Sequence, residues 1–413
     1  MRARRLAARW LVPMEGAPIE HAALLIDVDG RIADLGHDSV VARPAYAAVE
    51  EFGEAVIIPG LINTHTHLEL TGFAGQIQER EFSSWIRRLR ELKATRTFGE
   101  FLQAARQGVQ RCYAAGVTTV ADTGDSGSVI QALAEADGSG VAYLEVFGPD
   151  PGQAQTSLGA LRDRVIRAGR WAVERVRVGV SPHAPYTVSA PLLAAVARWS
   201  QGEGLPLAVH IAESQAETEL LRSGNGPFAD AWAQRGIPLP PTLGHTPVEW
   251  LAINGALSEL TLCIHAVQAV GTDIQLLAQS GAAVAHCPLS NHAHGHGTAR
   301  LSALIHAGVR VGLGTDSEVS VGRLDLLAEA RAARQIARLT ASEALALCTL
   351  NGARALGLET ETGSLRVGKW ADCVVIRLPG ARPDADPAEH VLASSSADVM
   401  LTCVGGRDVY RSP

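Results

Sequence analysis

The 413-residue chain is 47% hydrophobic, 19% charged and 5% aromatic, with a formal charge of -7 and a pI near 6.1. That length suits one large α/β unit with an added lobe, and the net acidity offers no basic field to a polynucleotide. No apolar run approaches the roughly 20 residues needed to span a bilayer. The basic start Met1-Arg2-Ala3-Arg4-Arg5 leads into an apolar stretch cut short by Pro13 and Glu15, unlike a signal peptide. A cytoplasmic protein is therefore expected, with a small-molecule substrate and neither nucleic acid nor membrane as partner; the prevalence of two-fold pairs makes a homodimer the expected assembly.

In chain order, Ala22 to Asp27 and Arg31 to Leu35 read as a hairpin around Asp29-Gly30. From Pro59 to about Gly314, short apolar runs alternate with amphipathic Ala/Leu/Arg-rich segments, the pattern of repeated βα units. The runs are Ile57 to His67, Val117 to Ala121, Val141 to Phe147, Val176 to Ser181, Leu207 to Ile211, Leu260 to His265, Ala282 to His286 and Val309 to Thr315. Eight such strands close into a (β/α)8 TIM-type barrel, whose chemistry gathers at the C-terminal strand ends. The alternative, an open doubly wound sheet, lacks a G-x-G-x-x-G after its first strand.

Beyond strand eight, Ser342 to Leu356 has helical spacing with Thr340 as its N-cap. Pro379 to Pro387 is a Pro/Asp-rich surface loop, and Ala371 to Arg377 with Met400 to Tyr410 supply further strands. The chain thus divides into a composite β-rich small domain, residues 1–57 with 358–413, and a barrel over 58–357. Six cysteines, Cys112, Cys263, Cys287, Cys348, Cys373 and Cys403, stand singly without a C-x-x-C pair and read as buried thiols.

On this scaffold the histidines form a pattern. His65 and His67 end strand one at i and i+2, on one strand face. His183 follows strand four, His210 ends strand five, His265 ends strand six, His286 ends strand seven, and Asp316 closes strand eight. His65, His67, His210 and Asp316 make a mixed N/O set suited to one divalent ion, Zn2+ or Fe2+, with a coordination position left open. Glu213 cannot share a strand face with His210 at i+3, so strand five must end near His210 and the chain must turn to bring Glu213 back as a proton shuttle. Otherwise Glu213 is a solvated acid opening the helix Glu213 to Leu221. The alternative for Asp316 is a helix N-cap, and His265 is either a catalytic hydrogen-bonding group or a core imidazole. Only two lysines occur, Lys93 and Lys369, neither at the end of strand four, where a modified lysine could bridge two ions.

His292-Ala293-His294-Gly295-His296 reads as an active-site loop or an adventitious metal site. His245, before Thr246-Pro247, reads as part of a helix start without chemistry.

The segments PGLINTHTHLE, GVTTVAD, SPHAPYTVS, HIAES, HCPLSN, GLGTDS and GSLRVGKWADCVVI together resemble the amidohydrolase superfamily, in its mononuclear aminohydrolase branch, over nearly the whole chain. The resemblance implies a hydrolytic deaminase of aminopurine nucleoside type. His65, His67, His210 and Asp316 would be metal ligands, Glu213, His265 and Asp316 would be catalytic, and His183 would face the substrate. Within the branch, HTHLEL followed by Phe82-Ser83-Ser84-Trp85-Ile86-Arg87 is most similar to aminodeoxyfutalosine deaminases of menaquinone biosynthesis, which makes Trp85 a substrate-binding residue. The acid expected shortly after that tryptophan is replaced by Arg87, Arg88, Arg90 and Glu91, so one arginine could pair with a substrate carboxylate or the run could be a solvated helix face. Deamination or hydrolysis of another heteroaromatic or cyclic amidine, and a non-catalytic barrel scaffold, are the alternatives.

Overall fold

The structure is a computed structural model describing residues 2–79, 81–240, 243–378 and 386–413. The expected surface loop at Pro379 to Pro387 lies largely outside the described residues. Eight strands pair in sequence order, all parallel: Leu61–Thr66, Val117–Gly124, Gly140–Val146, Val176–Pro182, Leu207–Ile211, Thr261–His265, Ala283–His286 and Arg310–Leu313. They are called barrel strands one to eight below. The ring closes just past strand eight, where Thr315 and Asp316 both donate backbone N–H bonds to the His65 carbonyl at 3.1 Å. Closure is tight: a Cβ on Gly314 would lie 2.7 Å from the His65 Cβ and 2.9 Å from its nitrogen, so glycine alone fits that crossing.

A second sheet carries both chain ends. Its order is Arg407–Arg411, Val399–Val404, Cys373–Arg377, Ala55–Pro59, Arg4–Leu11, Ile19–Ile26 and Ile32–His37, with Ala48–Glu51 alongside Arg4–Leu11. The expected hairpin around Asp29-Gly30 is present, and Met400 to Tyr410 is itself a hairpin turning at Gly405-Gly406. The sheet packs on the barrel's flank, where Thr402 Oγ1 donates to the Tyr113 carbonyl at 2.8 Å.

Two sequence expectations need correction. The single run Ile57 to His67 is two strands: Ala55–Pro59 joins the small sheet and Leu61–Thr66 joins the barrel. Hydrophobicity is continuous across the joint, so the run gave no break, but Gly60 passes so close to Thr118 that a Cβ there would lie 2.0 Å from its hydroxyl. The helix expected over Ser342 to Leu356 is also two, Ala341–Leu347 and Leu350–Leu356, although Thr340 does cap the first in a capping box with Glu343. Thr246 caps Pro247–Ile253 in the same way. All six cysteines are buried and unbridged. No described helix is long and apolar enough to cross a membrane.

Candidate active site

The C-terminal ends of the barrel strands open into a cavity of about 570 Å3, and His67, His183, His210, Glu213, His265, Asp316 and Trp85 all line it. His65 lies fully buried just beneath. Barrel closure brings His65 and Asp316 together across 251 positions of chain, with His65 Nε2 and His67 Nε2 each 3.5 Å from Asp316 Oδ1. His210 Nε2 stands 3.4 Å from His67 Nε2.

The hydrogen bonds behind these rings orient them. His67 Nδ1 donates to the Thr123 carbonyl at 2.7 Å and His210 Nδ1 to the His183 carbonyl at 3.1 Å, which leaves both Nε2 lone pairs turned toward Asp316 and each other. Asp316 Oδ2 accepts from Ser290 and Ser320 at 2.6 and 3.0 Å, freeing Oδ1 for the cluster. Burial pushes the His65, His67 and His210 imidazoles below their ordinary values, so they are neutral donors of lone pairs. Burial would raise the Asp316 carboxyl, but the His65 and His67 rings outweigh it and hold the group well below the carboxylate range. His65 Nε2 and Nδ1 are buried without hydrogen-bond partners. Orphaned buried nitrogens facing an ionised carboxylate are costly unless a cation joins them, so this donor set fits a divalent ion.

Glu213 returns over the cluster by a sharp turn. Strand five ends at Ile211, Ala212 takes a left-handed conformation at φ 50°, and the next helix begins only at Gln215. The acid is buried rather than solvated at a helix start. The turn is pinned by Glu217, whose two carboxyl oxygens accept the backbone N–H groups of Ala212 and Glu213, both at 2.9 Å. His265 at φ 75° and Asp316 at φ 55° share that uncommon backbone region, which marks strain held by surrounding packing. Glu213 Oε1 is 3.4 Å from His265 Nε2 and 3.4 Å from His296 Nε2. Burial alone would raise the Glu213 carboxyl; the imidazoles of His265 and His296 outweigh it and hold it at about 2, ionised and able to take a proton.

The loop after strand seven is more than an incidental histidine run. His296 is buried against Glu213, and His294 lines the cavity edge-on to Trp85, ring centroids 4.7 Å apart. His292 is exposed and belongs to neither contact. The physical reason is the short helix Pro288–Ala293, which turns the chain back over the mouth so that Gly295 at φ 69° aims His294 and His296 inward. His286, at the end of strand seven, does not line the cavity; its Nδ1 donates to the His265 carbonyl at 3.1 Å from behind the site.

Trp85 sits on the helix Phe82–Ala94, which crosses the mouth and adds Phe82, Ile86, Leu89 and Arg90 to the cavity wall. Glu81 caps it, accepting the N–H groups of Ser83 and Ser84. Arg90 faces the cavity, whereas Arg88 pairs with Glu91 on the outside at 3.0 Å. Lys93 reaches down from the last turn to the buried Glu69 at 2.7 Å and to Asp125. Glu145 and Arg235 complete the wall and carried no sequence signal beyond their place at a strand end and a helix end.

The amidohydrolase family profile matches residues 56–409. The chain belongs to the amidohydrolase family. It is 35% identical over 324 residues to the aminodeoxyfutalosine deaminase of Deinococcus radiodurans, covering 76% of each chain. It is 30% identical to a 5-methylthioadenosine/S-adenosylhomocysteine deaminase of Moorella thermoacetica, covering 96% of this chain and 91% of that one. Among solved structures, a zinc-bound adenosine deaminase from Xanthomonas campestris superposes with a TM-score of 0.85 at 22% identity, over 98% of this chain and 92% of the other, and at that identity shares the fold. This family membership makes the barrel a hydrolase acting on carbon–nitrogen bonds.

Proposed function

We propose that this amidohydrolase deaminates an adenine-type nucleoside, with 6-amino-6-deoxyfutalosine as the preferred substrate and a place in menaquinone biosynthesis. The observation that carries the reading is the ionised Glu213 held beside His265 above the four donors His65, His67, His210 and Asp316, in a cavity with an aromatic wall. Those four residues would hold one divalent ion, zinc by the likeness to the Xanthomonas campestris structure, iron being compatible with the same donors. When bound, the ion acts as a Lewis acid and makes water nucleophilic at neutral pH.

The chain's own groups do the rest. Glu213 takes a proton from the attacking water and delivers it to the purine ring nitrogen beside the amine-bearing carbon. His265 and Asp316 orient the water by hydrogen bonds, and His265 faces the oxyanion side of the tetrahedral centre. A second proton passed to the exocyclic nitrogen expels ammonia, so amine plus water becomes oxo product plus ammonia. Phe82, Trp85 and Tyr186 offer flat surfaces to the base and, with helix Phe82–Ala94, limit water entry.

Two features favour the finer substrate. The Deinococcus radiodurans relative carries that name, and Arg90 and Arg235 stand at the rim, where either could pair with a benzoate carboxylate. Against this, the Moorella thermoacetica relative covers more of the chain and supports methylthioadenosine or S-adenosylhomocysteine as a second reading. The test is ammonia release by the metal-loaded protein from aminodeoxyfutalosine, adenosine, methylthioadenosine, S-adenosylhomocysteine, guanine and cytosine. Highest kcat/KM on aminodeoxyfutalosine is expected; preference for guanine or cytosine, or no release from any, would overturn the reading.

A further inference from the structure

Two of the six cysteines face each other across the small sheet. Cys373 opens the strand Cys373–Arg377, Cys403 lies near the end of Val399–Val404, and the antiparallel register sets the two directly opposite. Opposed residues share one face of a sheet, and both thiols are buried in its apolar core with Ile57, Val375 and Leu401. The Cα atoms of such a pair stand about 4.5–5.5 Å apart, inside the range of about 4.4–6.8 Å that a disulfide spans. The other four, Cys112, Cys263, Cys287 and Cys348, have their places in the barrel unit.

The surroundings of Cys403 set its reactivity. Its Sγ lies 3.7 Å from Arg4 Nη1 and 3.4 Å from Asp408 Oδ1. The guanidinium favours a thiolate at that sulfur, but the contact with Cys373, and after it burial, hold the closed thiol well above its ordinary value. The closed pair is therefore slow to react, and reaction needs the sheet to loosen beside it. That is where the sheet is least regular. Arg407–Arg411 is its outermost strand, the pairing of that strand slips between Thr402 and Cys403, and Asp408, the residue opposite Cys403, has a side chain 33% exposed. One layer of side chain separates the sulfur from solvent.

We propose that Cys373 and Cys403 are a redox modification site, joined by a hydroperoxide into a cross-strand disulfide that ties the C-terminal hairpin to Cys373–Arg377. Cys403, beside Arg4, is the attacking sulfur. Its thiolate forms an S–O bond to the terminal peroxide oxygen as the O–O bond breaks, and the departing alkoxide or hydroxide takes up the proton the thiol released. The sulfenic acid on Cys403 is then attacked by the Cys373 sulfur; the S–S bond forms, the S–O bond breaks, and the hydroxyl leaves as water with the Cys373 proton. Two thiols and one hydroperoxide thus give one disulfide, one alcohol (a second water when the oxidant is hydrogen peroxide) and one water, the sulfurs losing the two electrons the peroxide gains. Disulfides in reducing compartments are transient and redox-sensing, and the bridge closes a loop of chain that restricts the unfolded state more than the folded one. The site stands apart from the cavity and does not depend on which amine the barrel removes.

The experiment treats the metal-loaded full chain with hydrogen peroxide at mildly alkaline pH, then unfolds it, alkylates the free thiols and maps its peptides by mass spectrometry with and without reduction. Free thiols should fall from six by two, the peptides carrying Cys373 and Cys403 should appear joined within one chain, and dithiothreitol should restore all six. The oxidised wild type should unfold at a higher urea midpoint than the reduced, a difference that Cys373→Ala should lack. All thiols still free, a bridge between other cysteines or between chains, or oxidation of single thiols without a bridge would overturn the site. Equal urea midpoints for a bridged and a reduced wild type would overturn its locking role, and both wild-type readouts stand if the variant fails to fold.

Discussion

Glu213 Oε1 lies 3.4 Å from His265 Nε2, within a buried carboxylate–imidazole pair that lines the cavity at the mouth of the barrel. The second imidazole on the same oxygen, His296, comes from the histidine loop whose role the sequence left open, and the two histidines invite separate tests. Replacing Glu213 with Gln removes the proton acceptor and should lower kcat about 100- to 10,000-fold with the metal retained. Near-normal turnover would remove Glu213 from the mechanism.

His296 touches Glu213 but not the metal donors, so its effect should run through the carboxylate's position. His296→Phe is expected to lower kcat about 10- to 100-fold, the range for losing a hydrogen bond to a charged group. KM should change little. A loss mainly in KM would show that the His294 and His296 loop holds substrate instead.

The donor set predicts its own behaviour on metal removal. Chelation should abolish turnover and lower the melting midpoint, because an ion held at a hundred times its Kd stabilises a fold by about 2.7 kcal/mol. Metal analysis of His65→Ala and Asp316→Asn should find less than one ion per chain. One ion per chain in both would refute the proposed ligands.

Lys93 and Glu69 form a pair whose carboxylate is 1% exposed. Lys93→Met strands that buried charge and should cost about 3–5 kcal/mol in chemical denaturation. Combining it with Glu69→Gln should recover part of the loss, since the neutral amide still accepts from Ser126. An additive double variant would show the pair to be uncoupled.

Glu329 supplies a pH test from behind the cluster, where it holds the chain next to Ser290, the Asp316 partner. Burial raises its carboxyl from 4.5 to about 8, although it accepts the Leu289 N–H at 2.9 Å. Between those values the folded chain holds a proton the unfolded chain has released, so stability falls as pH rises. The contribution is fully present below about 4.5 and lost as pH climbs through about 8. Glu329→Gln has nothing to release, and its melting midpoint should gain on the wild type steadily from pH 5 to 8. Parallel curves would refute the shift.

The sequence by itself determined the barrel and where along it most of the candidate site residues fall. Eight apolar runs at βα spacing specify parallel strands whatever their final curvature, because the pattern is local. Placing His65, His67, His210, His265 and Asp316 at the ends of those runs follows from counting, and the turn after His210 follows from strand periodicity. The tertiary structure alone decided what lies beside what. Barrel closure makes the first and last strands neighbours, so Asp316 meets His65 only because Gly314 lets the ring shut. Contacts between loops of different βα units have no periodic signature: His296 reaching Glu213, Glu217 pinning the turn, Lys93 descending to Glu69 and Glu145 facing His183 each depend on how the loops fold over one cavity. The split of Ile57 to His67 at Gly60 is of the same kind, since both halves are equally apolar and only packing against two different sheets tells them apart.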